Sequence, residues 1–298
     1  MPATRTESGS TPPAASEASL APLGILCGGG TFPIAVARAA SHSGRKVVLV
    51  AIRGFADPAV LEGAGFPVEW VHLGTIGAML AALRRHGCRE MVIVGYVFRP
   101  RISSLRLDWK AIGMLRWFLR ARRGGDGHLL SHIASFFEKE GFILRGAHEV
   151  APEILVAEGT LGRVAMTEAE REDARIGFRL LRAIDDFDVG QAAVVAERHV
   201  QAIEAAEGTD AMIARCGEMR ASGRVRLPRR SGVLVKIPKP GQDRRIDLPS
   251  IGVRTVERAA EAGLAGIAVE AGGVIAAEAE AMVRVADEKG LFIVGLAE

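Results

Sequence analysis

Paired cysteine is missing from this 298-residue sequence: Cys27, Cys88 and Cys216 are odd in number, far apart and without any C-x-x-C spacing. That pattern excludes a disulfide framework and the usual zinc or redox dithiol signatures, and it fits a reducing cytoplasm with small buried thiols. Unbroken apolar runs are missing too. Residues 18–37 carry no charge, but Pro22, Pro33 and the run Gly28 to Gly30 interrupt them, so neither a spanning helix nor an export signal is expected. A dominant charge is also lacking, because 38 Lys and Arg against 35 Asp and Glu leave a net charge of +3 and a pI near 9.0. This is too mild to call for nucleic acid.

What is present describes a globular protein, with 49% hydrophobic and 24% charged residues. The length lies at the top of the roughly 250 to 300 residues at which single cores stop growing, so two domains are expected. Residues 1–21 hold Ala, Ser, Thr and Pro with few large apolar side chains and read as a disordered tail. From Leu23 onward short apolar runs alternate with helical patterns. Strands are expected at 23–27, 46–52, 68–73, 91–98 and 142–144, with helices near 34–40, 76–85, 108–122 and 126–139. Alternation of this kind gives an α/β domain with a parallel sheet over residues 22–146.

Small residues and weak periodicity mark 147–165 as a linker, and 166–298 as a second α/β domain with a mainly parallel sheet. Thr167 with Glu170 three residues later forms a capping box for a helix of about 167–186. Strands follow at 192–204, 232–237, 266–270 and 291–295, with helices at 211–220, 253–262 and 277–289.

Three stretches carry chemistry. In the first, an apolar strand runs into Gly28, Gly29, Gly30 and Thr31 before Pro33 opens a helix. Glycine amides and a helix N-terminus suit a phosphate, although the spacing matches no named cofactor fingerprint and a plain strand-to-helix turn gives the same pattern. In the second, residues 99–123 hold eight basic residues against the single acid Asp108, together with Trp109 and Trp117. Such a helix suits a membrane interface, or a core helix with a solvated arginine face. The third follows an apolar strand and sets Lys236, Lys239, Arg244 and Arg245 around Asp243 and Asp247. Cations neutralise phosphoryl oxygens while a carboxylate holds a divalent ion or orients water, so the loop reads as an anion site. Asp210, after Thr209, reads as a helix cap or a ligand, and Glu270 ends an apolar strand where sites form.

Several motifs in order resemble the LpxI-type UDP-2,3-diacylglucosamine pyrophosphatases. They are Leu23-Gly-Ile-Leu-Cys-Gly-Gly-Gly, Gly146-Ala-His, Glu207-Gly-Thr-Asp, the long run from Val233 through Lys-Pro-Gly-Gln-Asp243-Arg-Arg to Gly252, and Gly266-Ile-Ala-Val-Glu-Ala-Gly. The resemblance spans nearly everything from Leu23 to Gly295. It implies an N-terminal domain for the uridine nucleotide, a C-terminal domain for the diacylglucosamine phosphate, and a reaction at their interface. It also implies Mg²⁺ as cofactor, with UMP and 2,3-diacylglucosamine 1-phosphate as products in lipid A biosynthesis. The family's essential aspartate falls on Asp243 and its nucleotide loop on Gly28 to Gly30, while Asp210 and Glu270 are metal-ligand candidates from their local pattern alone. A lipid-bearing substrate gives residues 99–123 a reason to meet the inner face of the cytoplasmic membrane. Two rivals stay open at this point: a noncatalytic nucleotide- or lipid-binding protein, and a nucleotide-sugar oxidoreductase. For the latter the second strand would end in an acid, where this chain has Arg53-Gly54.

Overall fold

The computed structural model describes residues 21–97, 106–113, 126–187, 189–228, 230–239 and 242–297. The apolar run Leu23–Cys27 forms β1. Val47–Ile52 (β2), Val68–Val71 (β3), Glu90–Val94 (β4) and Ile143–Leu144 (β5) join it in a parallel sheet of order β3-β2-β1-β4-β5. Parallel neighbours need crossovers, and these hold the helices Phe32–His42 (α1), Pro58–Glu62 (α2), Ile76–Arg85 (α3) and Asp126–Lys139 (α4). Side chains alternate along a strand, so β1 sends Leu23, Ile25 and Cys27 under α1 and α2, and Leu26 under α3 and α4. Both faces of the sheet are covered, which is why its strands read as unbroken apolar runs.

The segment 147–165, expected as a plain linker, has regular structure. It contains the one-turn helix Ala147–Val150 (α5), a 3-10 turn at Pro152–Ile154 and the strand Gly159–Leu161 (β6). Ala147, Ala151 and Ile154 are buried in the first domain's core, and Val156 in the second's. Small residues hid this structure because they bury without periodicity.

The second domain opens with Glu168–Ala183 (α6), and the expected capping box is formed: the Thr167 hydroxyl accepts from the Glu170 amide and the Glu170 carboxylate accepts from the Thr167 amide. Ala192–Ala196 (β7), His199–Ile203 (β8), Thr209–Ala221 (α7), Val233–Lys236 (β9), Ser250–Ile251 (β10) and Val253–Glu261 (α8) follow. The chain ends with Gly266–Glu270 (β11), Ile275–Ala276 (β12), Ala279–Lys289 (α9) and Phe292–Leu296 (β13). The six-stranded sheet has the order β6-β13-β11-β9-β7-β8. Here the expectation of a mainly parallel sheet is corrected: β9, β11 and β13 are parallel, but β6, β7 and β8 pair antiparallel at the edges.

The single strand expected at 192–204 is a hairpin, with Glu197 and Arg198 both at positive φ. That turn usually asks for Asn-Gly. Here the buried Asp173 of α6 accepts the amides of both turn residues, at 3.1 and 2.6 Å, and holds the turn from outside its own sequence. Helices α7, α8 and α9 cover one face of this sheet and α6 the other.

Candidate active site

In the first sheet β1 and β4 are neighbours, and their connections leave toward opposite edges. Ligands favour such a crevice at the carboxyl ends of parallel strands. Gly28 to Gly30 turn the chain there, against residues 95–96. The Gly28 amide donates to the Val94 carbonyl and the Gly29 amide to the Tyr96 carbonyl, each at 2.8 Å. A Cβ on Gly28 would lie 2.6 Å from the Tyr96 carbonyl oxygen, and one on Gly29 would lie 2.5 Å from the Tyr96 ring. Backbone on both sides therefore demands glycine at Gly28, whereas Gly29 faces a side chain, and the amides of both serve the fold. Gly30 and Thr31 form the exposed part of the turn, at the start of α1, and the Thr31 hydroxyl donates to Glu278 Oε1 at 2.8 Å.

The loop after β9 leaves the second domain and lies on the first. Ile246 packs against the core under α3 and α4, and Leu248 against the core under α1, so the segment straddles the sheet between its two faces. Asp243 sits at the start of this crossing. Arg245 clasps its carboxylate through Nε to Oδ1 at 2.9 Å and Nη2 to Oδ2 at 2.8 Å, and the Arg245 amide donates to Oδ1 at 3.1 Å. The remaining Nη1 of Arg245 reaches Glu138 Oε1 on α4 at 2.5 Å. The Arg245 guanidinium holds the Asp243 carboxyl below its usual range, against partial burial, which pushes the other way.

Other sequence candidates fall into different surroundings. Lys236 is 7% exposed, and its ammonium donates to Thr209 Oγ1 at 3.1 Å and the Ser250 carbonyl at 3.0 Å. Burial lowers its pKa, while Glu204, Asp210 and Asp247 oppose that shift. Thr209 in turn donates to Glu204, so Lys236 belongs to an internal polar network. Lys239 lies in the turn closed by the backbone and side chain of Gln242. Asp210, in the first turn of α7, pairs with Arg254 at 2.8 Å. Glu270, at the carboxyl end of β11, pairs with Arg244 at 3.2 Å and Arg182 at 3.5 Å.

Sequence reasoning missed Glu138, Arg182 and Glu278. Glu138 and Arg182 are charged residues in the last turns of α4 and α6, and nothing in their local pattern separates them from solvated helix positions. Glu278 does carry a structural mark, a left-handed backbone with φ of 52°, which sequence does not reveal for a glutamate.

Of the basic segment 99–123, residues 106–113 are described and the rest lie outside the described residues, as do residues 1–20 of the tail. Asp108 Oδ2 accepts from the Gly77 amide at 2.5 Å, its Oδ1 accepts from the Ala111 amide at 2.9 Å, and Lys110 pairs with Glu140. This anchored turn presents Trp109 at 88% exposure beside the exposed Ile112. Among the described residues, no helix is long and apolar enough to cross a membrane.

Arg53, where a dinucleotide fold would place an acid, lies with its guanidinium 5.5 Å from the Trp70 ring centroid. The LpxI N-terminal domain model matches residues 22–154 and the LpxI C-terminal domain model matches residues 157–294. The chain is also 42% identical over 274 residues to the UDP-2,3-diacylglucosamine pyrophosphatase LpxI of Caulobacter vibrioides, covering 92% of this chain and 97% of that protein. Two family domains in order, and a relative of this similarity over nearly the whole length, place the chain in the LpxI family.

Proposed function

We propose that this protein hydrolyses the pyrophosphate of UDP-2,3-diacylglucosamine to UMP and 2,3-diacylglucosamine 1-phosphate, a step of lipid A biosynthesis. The observation that carries the reading is the loop around Asp243. It sets an ionised carboxylate among arginines where the second domain lies across the carboxyl edge of the first sheet. Its relative from Caulobacter vibrioides bears the name of this activity.

In the proposed reaction the nucleotide lies along the first domain's switch-point crevice, with Gly30, Thr31 and the N-terminal turn of α1 facing its phosphates. The sugar phosphate lies toward the second domain. Asp243, ionised at neutral pH, accepts a hydrogen bond from the attacking water and orients it toward phosphorus. Arg244 offers planar donors to nonbridging oxygens, where charge gathers in the transition state, while Arg245 keeps Asp243 ionised and fixed in place. One phosphorus–oxygen bond of the bridge breaks, and the water's oxygen is retained in one of the two phosphate products.

The donor set also bears on Mg²⁺. Among the described residues, no three His, Cys, Asp or Glu side chains gather as a metal cage. Mg²⁺ in phosphoryl sites commonly takes one or two carboxylates plus substrate oxygens and water, and Asp243 fits that role. When bound there it would neutralise charge on the pyrophosphate. Asp210 and Glu270 face arginines as Asp243 does, and what singles out Asp243 is its place on the loop that crosses to the first sheet.

A lipid-bearing substrate also calls for contact with the cytoplasmic membrane surface, and the anchored Trp109 turn supplies an apolar group beside basic residues. Sedimentation with anionic vesicles that declines as salt rises supports this part of the reading, and equal sedimentation with neutral vesicles opposes it. The activity is tested by incubating purified protein with UDP-2,3-diacylglucosamine and Mg²⁺ and identifying the products by mass spectrometry. Appearance of UMP and the diacylglucosamine phosphate supports it. Bound but uncleaved substrate would make the protein a noncatalytic binder.

A further inference from the structure

Ile275 belongs to the second domain, yet it is packed in the first domain's core under α1. Its strand β12 pairs in parallel with β10, where the Asp243 loop ends, so two neighbouring segments of the second domain come down together on the first. One brings Asp243. The other brings Glu278 to the exposed end of the glycine turn, where its Oε1 accepts from the Thr31 hydroxyl at 2.8 Å. Glu278 holds this place at a left-handed φ of 52°, which glycine adopts freely and glutamate only at a cost.

Its partner sets Glu278 apart from the other carboxylates near the site. Asp243, Asp210, Glu270 and Glu138 each face a guanidinium. Among the described residues Glu278 faces none, and its side chain accepts from a neutral hydroxyl instead. A divalent cation approaching Asp243 competes with Arg245, whereas at Glu278 it meets an anion whose charge is not neutralised. The Thr31 hydroxyl adds a second oxygen, which can donate its proton to Glu278 and still offer a lone pair to a metal. A hydroxyl after a glycine turn, a carboxylate from another segment and phosphate oxygens form a set that Mg²⁺ takes in nucleotide sites, with water completing its shell. Both side chains are exposed, which leaves room for that water.

We infer that Thr31 and Glu278 form a divalent-cation site on the nucleotide side of the crevice, where Mg²⁺ links the second domain to a phosphate bound at the glycine turn. The inference rests on the proposed function for the identity of the anion, and it adds to Asp243 a holder with no guanidinium to displace. Such a site reverses the part that Glu278 plays. Without the ion its carboxylate repels a phosphate, and with the ion it attracts one through the metal, so removing its charge has opposite effects in the two conditions.

The test is calorimetric titration of the full-length protein with UMP, with and without Mg²⁺, beside thermal denaturation. Mg²⁺ is expected to tighten UMP binding to the parent by about tenfold, within the usual range of coupling between two ligands. Glu278→Gln keeps an acceptor for Thr31, so its melting temperature should be unchanged while most of the Mg²⁺ response is lost. The order of the two proteins then inverts: the variant binds UMP more tightly than the parent without Mg²⁺ and more weakly with it. Thr31→Val should also lose most of the response, and Thr31→Ser should keep it. An equal Mg²⁺ response in the parent and Glu278→Gln overturns the inference. So does a parent whose affinity for UMP is indifferent to Mg²⁺, or one that does not bind UMP. Turnover of UDP-2,3-diacylglucosamine is scored separately: a parent that couples Mg²⁺ to UMP through Glu278 yet cleaves nothing sinks the proposed reaction and leaves this inference standing, and cleavage with an equal response in Glu278→Gln does the reverse.

Discussion

The Thr31 hydroxyl of the first domain donates to the Glu278 carboxylate of the second at 2.8 Å, across 247 positions of sequence. A carboxylate thus stands at the exposed end of the glycine turn, where α1 begins.

A nucleotide phosphate approaching Gly30 and Thr31 meets that negative charge at short range. In the absence of divalent cations, Glu278→Gln should therefore bind UMP more tightly, by about three- to tenfold for one like charge removed near a partly screened site. Calorimetric titration checks it. Equal or weaker binding would show that phosphate lies elsewhere in the crevice.

Asp243 ties activity to pH in a defined direction. Its folded-state pKa is depressed, chiefly by Arg245, so the ionised form persists as pH falls below the usual carboxylate range of about 3.9. Any activity or stability that needs this charge is present above that range and is lost only as pH drops through the lowered folded value. Arg245→Ala removes the main cause, so the acid limb of kcat/KM should move to higher pH. Asp243→Ala should lower turnover by roughly 10³ or more while substrate is still retained. An acid limb that stays in place in Arg245→Ala would assign that limb to another group.

Gly28 and Gly29 should separate in their effects. A side chain at Gly28 meets backbone carbonyls that cannot step aside, so Gly28→Ala should lower the melting temperature. At Gly29 it meets the Tyr96 ring, a side chain that is 54% exposed rather than backbone. Gly29→Val should stay folded yet bind UMP at least several-fold more weakly, because Tyr96 and the neighbouring turn are displaced. Nucleotide titration beside thermal denaturation distinguishes the two, and identical behaviour would contradict this account.

Lys236 should behave as a structural residue. Removing a buried, hydrogen-bonded cation leaves Thr209, the Ser250 carbonyl and the Glu204 network without their donor, a loss of about 2 to 4 kcal/mol. Urea denaturation of Lys236→Ala measures it. A variant as stable as the parent but unable to bind pyrophosphate would return Lys236 to direct contact with substrate.

Much of the architecture was legible because apolar runs and helical periodicity are local. Leu23–Cys27, Ile76–Arg85, Asp126–Lys139 and Gly266–Glu270 stand as the sequence predicts them. The hairpin at Glu197 and Arg198 escaped because its stabilising acceptor, Asp173, is 24 or more residues away. The same reason divides the site. Asp243 and its arginines announce themselves within four residues, whereas Glu138 and Glu278 acquire meaning only when the domains meet. Lys236 misled for a related reason, since a lysine at a strand end looks like a phosphate ligand until its burial is known.

Between Ile154, packed in the first core, and Val156, packed in the second, the covalent crossing is a single residue, Leu155. A connection that short acts as an axle rather than a tether, because only a few backbone dihedrals are available to turn. Strand β6 follows at once and is stitched to β13, so twist applied at the axle passes into the sheet that carries Glu270 instead of dissipating in slack chain. The Asp243 loop and the glycine turn therefore stay at high effective concentration through any opening of the molecule. Reassembly after any such opening would be a rotation rather than a search.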